Sequence, residues 1–174
     1  MTIFCKTAFK YCLLAFCLIF FASCGYRFSG TGQLPSAVTS IAIETFENRT
    51  GEIGIESVIT NDVIYEFTRT GKASITGKKK ADAVLKGVIR SASSSTLSHL
   101  APYETAERRI TVTVDAELVS RSGKVLWSGN SVSASEEYTV AGDKLATEQN
   151  KKSAVARLSG RLAQRIYYRM TDDF

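Results

Sequence analysis

Few side chains in this sequence are of the kinds that carry covalent chemistry, and their placement narrows what they can do. The 174 residues include one histidine, His99, and four cysteines, Cys5, Cys12, Cys17 and Cys24. A single imidazole excludes a paired-histidine metal site and leaves a histidine-based triad no alternative base. None of the nucleophile-elbow, zinc-helix or phosphate-loop spacings occurs. Gly30-Thr31-Gly32 lacks the third glycine and the preceding strand of a dinucleotide fingerprint. Glu136 and Glu137 are adjacent, so in an extended chain they point to opposite faces and do not form an acid–base pair. No catalytic residue, metal ligand or cofactor site is expected, and the chain reads as a non-enzyme.

The cysteines tell a different story. All four lie in the first 24 residues. Lys6 and Lys10 precede an uninterrupted apolar run over residues 11–22, and small residues follow at Ala22-Ser23. That is the layout of a secretory signal peptide, and the run is short of the roughly 18–20 residues a spanning helix needs. Phe21-Ala22-Ser23-Cys24 resembles a bacterial lipobox, with Phe21 where Leu is usual. A thiol is a natural nucleophile for acylation, and each buried CH₂ of an acyl chain contributes roughly 0.8 kcal/mol to anchoring. Gly25 follows where an inner-membrane retention Asp would stand, which favours the outer membrane. Residues 1–23 are therefore expected to be removed, with residues 24–36 a lipidated tether and 37–174 one domain. Cleavage takes two of the 22 Lys+Arg and none of the 17 Asp+Glu, so the formal charge falls from +5 to +3. The one remaining cysteine is lipidated, so the domain must be held by its core rather than by disulfides.

Two segments are candidates for binding. Arg157, Arg161, Arg165 and Arg169 recur at i+4 and form one basic ridge along the last helix. Either their stems lie over the core edge with wet heads, or the guanidinium ladder faces phosphates or an acidic wall. Residues 96–103, with Leu97, His99, Leu100 and Tyr103, read as a loop unusually apolar for its kind, and Pro102 denies it a central-strand role. It either packs on the domain's own end or meets lipid or a partner. Lys78-Lys79-Lys80 is a basic turn, open to the same two readings: a solvated turn or an anionic-lipid or phosphate contact. With 44% hydrophobic and 22% charged residues the chain is neither disordered nor a polytopic membrane protein, and the small, dispersed charge excess does not point to nucleic acid.

The elements that must position these residues follow from periodicity. Thr39–Phe46 reads as a strand with Ile41 and Ile43 on one face, followed by a turn at Glu47–Gly51. Ile55, Val58, Ile59, Val63 and Phe67 fall at helical spacing within Glu52–Thr70, with Gly71 as the stop. Short and longer strands follow at Ala73–Thr76 and Asp82–Ser93. Arg109–Ser120 alternates apolar and polar residues throughout. Arg121–Lys124 is a hairpin turn leading to a strand at Val125–Ser135, with a bulge expected near Gly129. A helix over Asp143–Met170 carries the stripe Val155, Leu158, Leu162, Ile166 and Met170, with Asp143 or Thr147 as its cap. The order predicts an α+β two-layer sandwich: a mixed, mostly antiparallel sheet of four to five strands with both helices on one face.

Cys24-Gly25-Tyr26-Arg27-Phe28, Leu34-Pro35 leading into Ile41-Ala42-Ile43, and Phe46-Glu47-Asn48-Arg49-Thr50 together resemble the start of the LptE family of lipopolysaccharide-assembly lipoproteins. The run Ala81–Gly87 and the strand Ile110–Leu118 fit as well, so the resemblance covers essentially the whole mature chain. It implies a plug seated in a large LptD-like β-barrel that inserts lipopolysaccharide into the outer leaflet, with two helices on a mostly four-stranded sheet. It also implies Cys24 as the lipid anchor, lipopolysaccharide contact around Leu97–Tyr103, and a looser basic contact at Lys144. The rival expectation is a periplasm-facing lipoprotein that activates cell-wall synthesis or builds a secretion assembly. A pore-former needs long amphipathic hairpins, which the sequence lacks.

Overall fold

The computed structural model describes Leu34 and residues 38–98 and 106–172, all within one compact unit that spans 32–174. The expectations for the signal segment, Cys24, most of the tether, and His99, Leu100 and Tyr103 lie outside these residues. The described elements are β1 (Ser40–Ile43), β2 (Glu47–Asn48), α1 (Ile55–Thr70), β3 (Ser74–Ile75), β4 (Ala83–Ser98), β5 (Glu107–Ser120), β6 (Val125–Thr139) and α2 (Lys144–Asp172).

They form the expected two-layer α+β sandwich, with six strands rather than four or five. The sheet order is β3-β1-β4-β5-β6, and β2 also pairs with β4. The extra strand is β2, only two residues long: it forms within the segment expected to be a turn, and takes over the ladder on β4 where β1 leaves off. β1 pairs in parallel with β3 and β4, and β2 in parallel with β4, because α1 crosses over between β2 and β3; β4, β5 and β6 form an antiparallel meander.

Alternation along β5 sets the layers. Ile110, Val112, Val114, Ala116 and Leu118 are buried and join one core with Ala83, Leu85 and Ile89 of β4 and the inner faces of both helices. Thr111, Thr113, Asp115 and Glu117 face the other way, so the second face of the sheet is polar. The α1 stripe is Ile55, Ile59, Val63 and Phe67, with Val58 only half-buried. Gly71 ends the helix at φ 65°, a left-handed value glycine adopts without strain. In α2 the stripe is Leu158, Leu162, Ile166 and Met170, widened by Ala154, Ala163 and Tyr167, whose ring meets Phe67 edge-on at 5.1 Å. Val155 is half-buried at its margin. Asp143 caps α2: its Oδ1 accepts from the Ala146 N–H at 2.8 Å, while Thr147 accepts from Ala141 instead.

The expected bulge lies one residue past Gly129. Val114 pairs with Val132 and Ala116 with Gly129, so Asp115 alone faces Asn130 and Ser131. Ser131 has φ 52°, and its N–H donates to Asp115 Oδ1 at 2.8 Å. Gly129 has a packing reason as well: a Cβ there would sit 2.3 Å from the Trp127 ring, which lies over it. Gly87 makes the same room for Phe46.

Candidate functional site

The arginine ridge of α2 is fastened to the sheet. β6 is an edge strand, and alternate residues of an edge strand turn their carbonyls outward without a partner. Arg157 donates toward the carbonyl of Glu137, Arg161 to that of Ser135, Arg165 to that of Ser133 and Arg169 to that of Asn130. The spacing works because four helical residues rise about 6 Å and two strand residues about 7 Å. The helix runs antiparallel to the strand, so residue numbers climb on one as they fall on the other. The last step skips from Ser133 to Asn130 because the bulge inserts its extra residue there.

Glu136 lies beneath the same ridge. Its carboxylate accepts from Arg157 Nε at 2.6 Å and from Arg161, and these two guanidinium groups hold its pKa below the usual carboxylate range. Glu137 points to the opposite face and pairs with Arg109 at 2.6 Å. The adjacent acids thus serve two faces, as their spacing requires. The side chains of Arg157 and Arg161 stay about half exposed, at 54% and 45%. They are therefore wet on one side and engaged on the other, with stems along the helix edge.

The remaining candidates gather at one end. β4 ends, β5 begins, β6 ends and α2 begins on the same side of the sandwich, because Ser98 pairs with Glu107 and Glu107 with Thr139. This distal end carries Leu97, Lys144 and Leu145; Leu97 and Leu145 are large exposed apolar residues. Thr96, Leu97 and Ser98 are not loop, as the sequence suggested: they continue β4 against β5, with Thr96 opposite Arg108. The strand outruns its hydrophobic alternation because hydroxyl side chains pair well across a ladder even where they are exposed. Beyond Ile89 the edge of β4 away from β5 has no strand partner among the described residues.

The open sheet face holds a shallow groove of about 310 Å³ lined by Glu44, Glu47, Lys86, Arg90, Asp115 and Glu117 among others. Its charges are largely engaged: Arg90 with Asp115 at 2.6 Å, Arg49 with Glu47 at 2.8 Å and Lys78 with Glu44 at 2.6 Å. The Ser131 N–H and then Arg90 lower the Asp115 pKa. No three His, Cys, Asp or Glu side chains converge to hold a metal among the described residues.

Where the chain enters the domain, Asp82 performs a structural task that sequence reasoning missed. Its Oδ2 accepts from the N–H and the hydroxyl of both Thr39 and Ser40, at 2.8 to 3.1 Å. These donors, the Ser40 and Thr39 hydroxyls foremost, lower its pKa to about 2. The only available signal was an Asp at a strand's first position, with Thr and Ser at the start of another.

The family model described as LptE, Lipopolysaccharide-assembly, matches residues 38–170. No curated protein sequence matches the chain. Among solved structures the fold is similar to rare lipoprotein B from Shewanella oneidensis, at 18% identity over 75% of this chain and 96% of that one, with a TM-score of 0.51. It is similar to a minor lipoprotein from Acinetobacter baumannii at 14% identity, 78% and 92% coverage and a TM-score of 0.52. It is also similar to an uncharacterized lipoprotein B from Nitrosomonas europaea at 14% identity, 82% and 87% coverage and a TM-score of 0.53. At these identities the likeness is one of fold.

Proposed function

Because the chain belongs to the LptE lipopolysaccharide-assembly family, we propose that it is the lipid-anchored plug of an outer-membrane lipopolysaccharide translocon. In this reading it seats in an LptD-like β-barrel, supports the barrel's assembly, and helps pass lipopolysaccharide to the outer leaflet. It acts by binding, not by catalysis. The observation that carries the reading is the family match across the whole described domain, residues 38–170.

The anchor is Cys24, acylated after removal of residues 1–23, and the domain faces the periplasmic side of the outer membrane. Two physical features support a plug. A barrel lumen is polar, and the helix-free face of this sheet presents Thr111, Thr113, Asp115 and Glu117 to it. A plug among barrel strands must also resist fusing with them, and the arginines of α2 occupy the outward carbonyls of β6. For lipopolysaccharide, whose lipid A joins phosphates to acyl chains, the contact region is the distal end, where Lys144 lies with exposed Leu97 and Leu145.

The test is affinity capture of the tagged, lipidated protein from detergent-solubilised outer membrane, with mass spectrometry of what accompanies it. A stoichiometric large β-barrel is the expected result. A cell-wall synthase or a homo-oligomeric ring in its place would overturn the plug reading in favour of the rival lipoprotein roles.

A further inference from the structure

The end of the domain opposite the distal loops has a chemistry of its own. β1 and β4 begin there, and so does the hairpin between β5 and β6. Lys78, Lys79 and Lys80 in the turn before β4, Lys86 on β4, and Arg121 and Lys124 in the hairpin all sit at this end, every one exposed. The turn and the hairpin are tied together. The Arg121 N–H donates to the Asp82 carbonyl at 3.0 Å, and its guanidinium donates to the Ala81 carbonyl at 3.0 and 3.2 Å. The nearby acids are spoken for: Glu44 pairs with Lys78, Asp82 accepts from Thr39 and Ser40, and Glu117 stands across the ladder from Lys86. Lys79 and Lys80 have no carboxylate partner among the described residues.

Between these cations the sheet offers an apolar floor. Ala42, Ala81 and Val84 form a small cluster on the helix-free face, and Val119 pairs with Val84 in the next strand. A groove of about 220 Å³ opens over Ala81, Val84 and Val119 and is rimmed by Lys78, Lys86 and Arg121. Cations around an apolar floor match a phospholipid surface, where phosphates lie over glycerol and acyl chains.

The path of the chain says which surface meets this end. Leu34 is already buried in the core, and Asp82 binds Thr39 and Ser40 directly beside the lysine turn. Cys24 lies ten residues before Leu34. An acylated Cys24 therefore holds the domain within about 35 Å of the bilayer at full stretch, and the lysine turn lies beside the strand the chain then enters. Acyl chains on Cys24 hold the chain at the bilayer but leave the domain free to turn, and a basic patch meeting anionic headgroups fixes which way it faces.

We infer that the basic end formed by residues 78–86 and 121–124 docks on the anionic phospholipid headgroups of the membrane that holds the anchor, fixing the orientation of the domain. The inference rests on the Cys24 anchor of the proposed function, and on the basic end for its chemistry.

The test uses the processed, lipidated chain in vesicles of phosphatidylcholine, with or without phosphatidylglycerol. Ser122→Cys places a single fluorophore in the hairpin, and Lys152→Cys places one on α2 toward the other end. Headgroup spin-labelled lipid then reports approach to the bilayer by quenching. Flotation with phosphatidylcholine vesicles reads the anchor alone, so its failure is distinct from failure to dock. Docking predicts several-fold stronger quenching at 122 than at 152 when phosphatidylglycerol is present. That excess falls with salt and is abolished by K79E with K80E, while the charge-matched R108E with K152E toward the other end, read with the fluorophore at 122, leaves it unchanged. Equal quenching at both positions, no response to phosphatidylglycerol, or relief by inorganic phosphate at constant ionic strength would each overturn the proposal; the last would make the groove a site for free phosphate.

Discussion

Arg161 of α2 donates at once to the main-chain carbonyl of Ser135 and to the carboxylate of Glu136, two consecutive residues of β6 whose side chains face opposite ways. One guanidinium therefore closes the sheet's edge and ties the helix to the strand's inner face. Removing the clamp with Arg161→Ala and Arg165→Ala leaves the outward carbonyls of Ser135 and Ser133 without their donors. Both side chains are exposed, so the loss in stability should be modest, about 1–2 kcal/mol in all. The more telling effect is on association, because an unguarded edge is a template for another strand. Sedimentation velocity on the double variant should show concentration-dependent oligomers absent from the parent. A variant that stays monomeric with an unchanged melting temperature would mean the edge is guarded by something else.

Gly129 and Trp127 make a sharper prediction. A methyl group at 129 would lie 2.3 Å from the indole, which is backed by the core and 5% exposed. Gly129→Ala must push the ring off its seat and should cost about 1–3 kcal/mol, a drop of roughly 2–4 °C in melting temperature for each kcal/mol. Trp127 is the only tryptophan, so its emission should shift to the red in the variant. Unshifted emission would show that the strand, not the ring, has yielded. Gly87→Ala, under Phe46, should lose comparable stability and leave the emission unchanged.

The elements legible in the sequence were those with a long period. The α1 and α2 stripes, the alternation of β5 and the hairpin glycine, Gly123 at φ 86°, each repeat a local rule that tertiary packing then obeys. β2 was not legible, because Glu47-Asn48-Arg49-Thr50-Gly51 carries turn residues and no apolar position; Glu47 and Asn48 become strand only by pairing with Val88 and Ile89. The C-terminal part of β4 was missed because residues 94–97 are all exposed and have no buried alternate to mark them, and the partner strand supplies the order. The i+4 arginines were visible as a ridge, but their partners were not. Backbone carbonyls leave no trace in sequence, and only the antiparallel lie of α2 on β6 reveals them. The Asp82 contacts join positions more than forty residues apart and depend on the parallel register of β1 with β4.

Asp82 should give the domain an acid-sensitive joint. Its folded pKa, about 2, lies below its ordinary 3.8, so the charged form is favoured by folding. The contribution is fully present above the ordinary value and is lost as pH falls from about 4 toward 2. Asp82→Asn should lower the melting temperature at neutral pH and flatten its decline over that acid range. The difference between parent and variant should narrow as pH falls, since the protonated carboxyl loses the same charge-assisted bonds. Parallel curves for the two proteins would show that the four donors do not bind the charged form preferentially.

The distal end carries the prediction that bears most directly on lipopolysaccharide. Lys144 opens α2 at the same end as exposed Leu97, and neither side chain is part of the core. A binder of lipid A needs a cation for phosphate and apolar surface for acyl chains, and this end supplies both without drawing on the structural arginines of α2. Lys144→Glu should weaken lipopolysaccharide binding about five-fold, an effect of ~1 kcal/mol expected of a rim charge, and lessen the salt dependence of what remains. Leu97→Ser should weaken it further without a change in melting temperature, because Leu97 is already 38% exposed. Arg157→Gln, by contrast, should disturb stability more than binding, since its guanidinium is held by Glu136. Binding measured by fluorescence titration alongside thermal melts separates the two effects. A loss of binding in Arg157→Gln at full stability, with Lys144→Glu unaffected, would move the lipopolysaccharide contact from the distal end to the helix ridge.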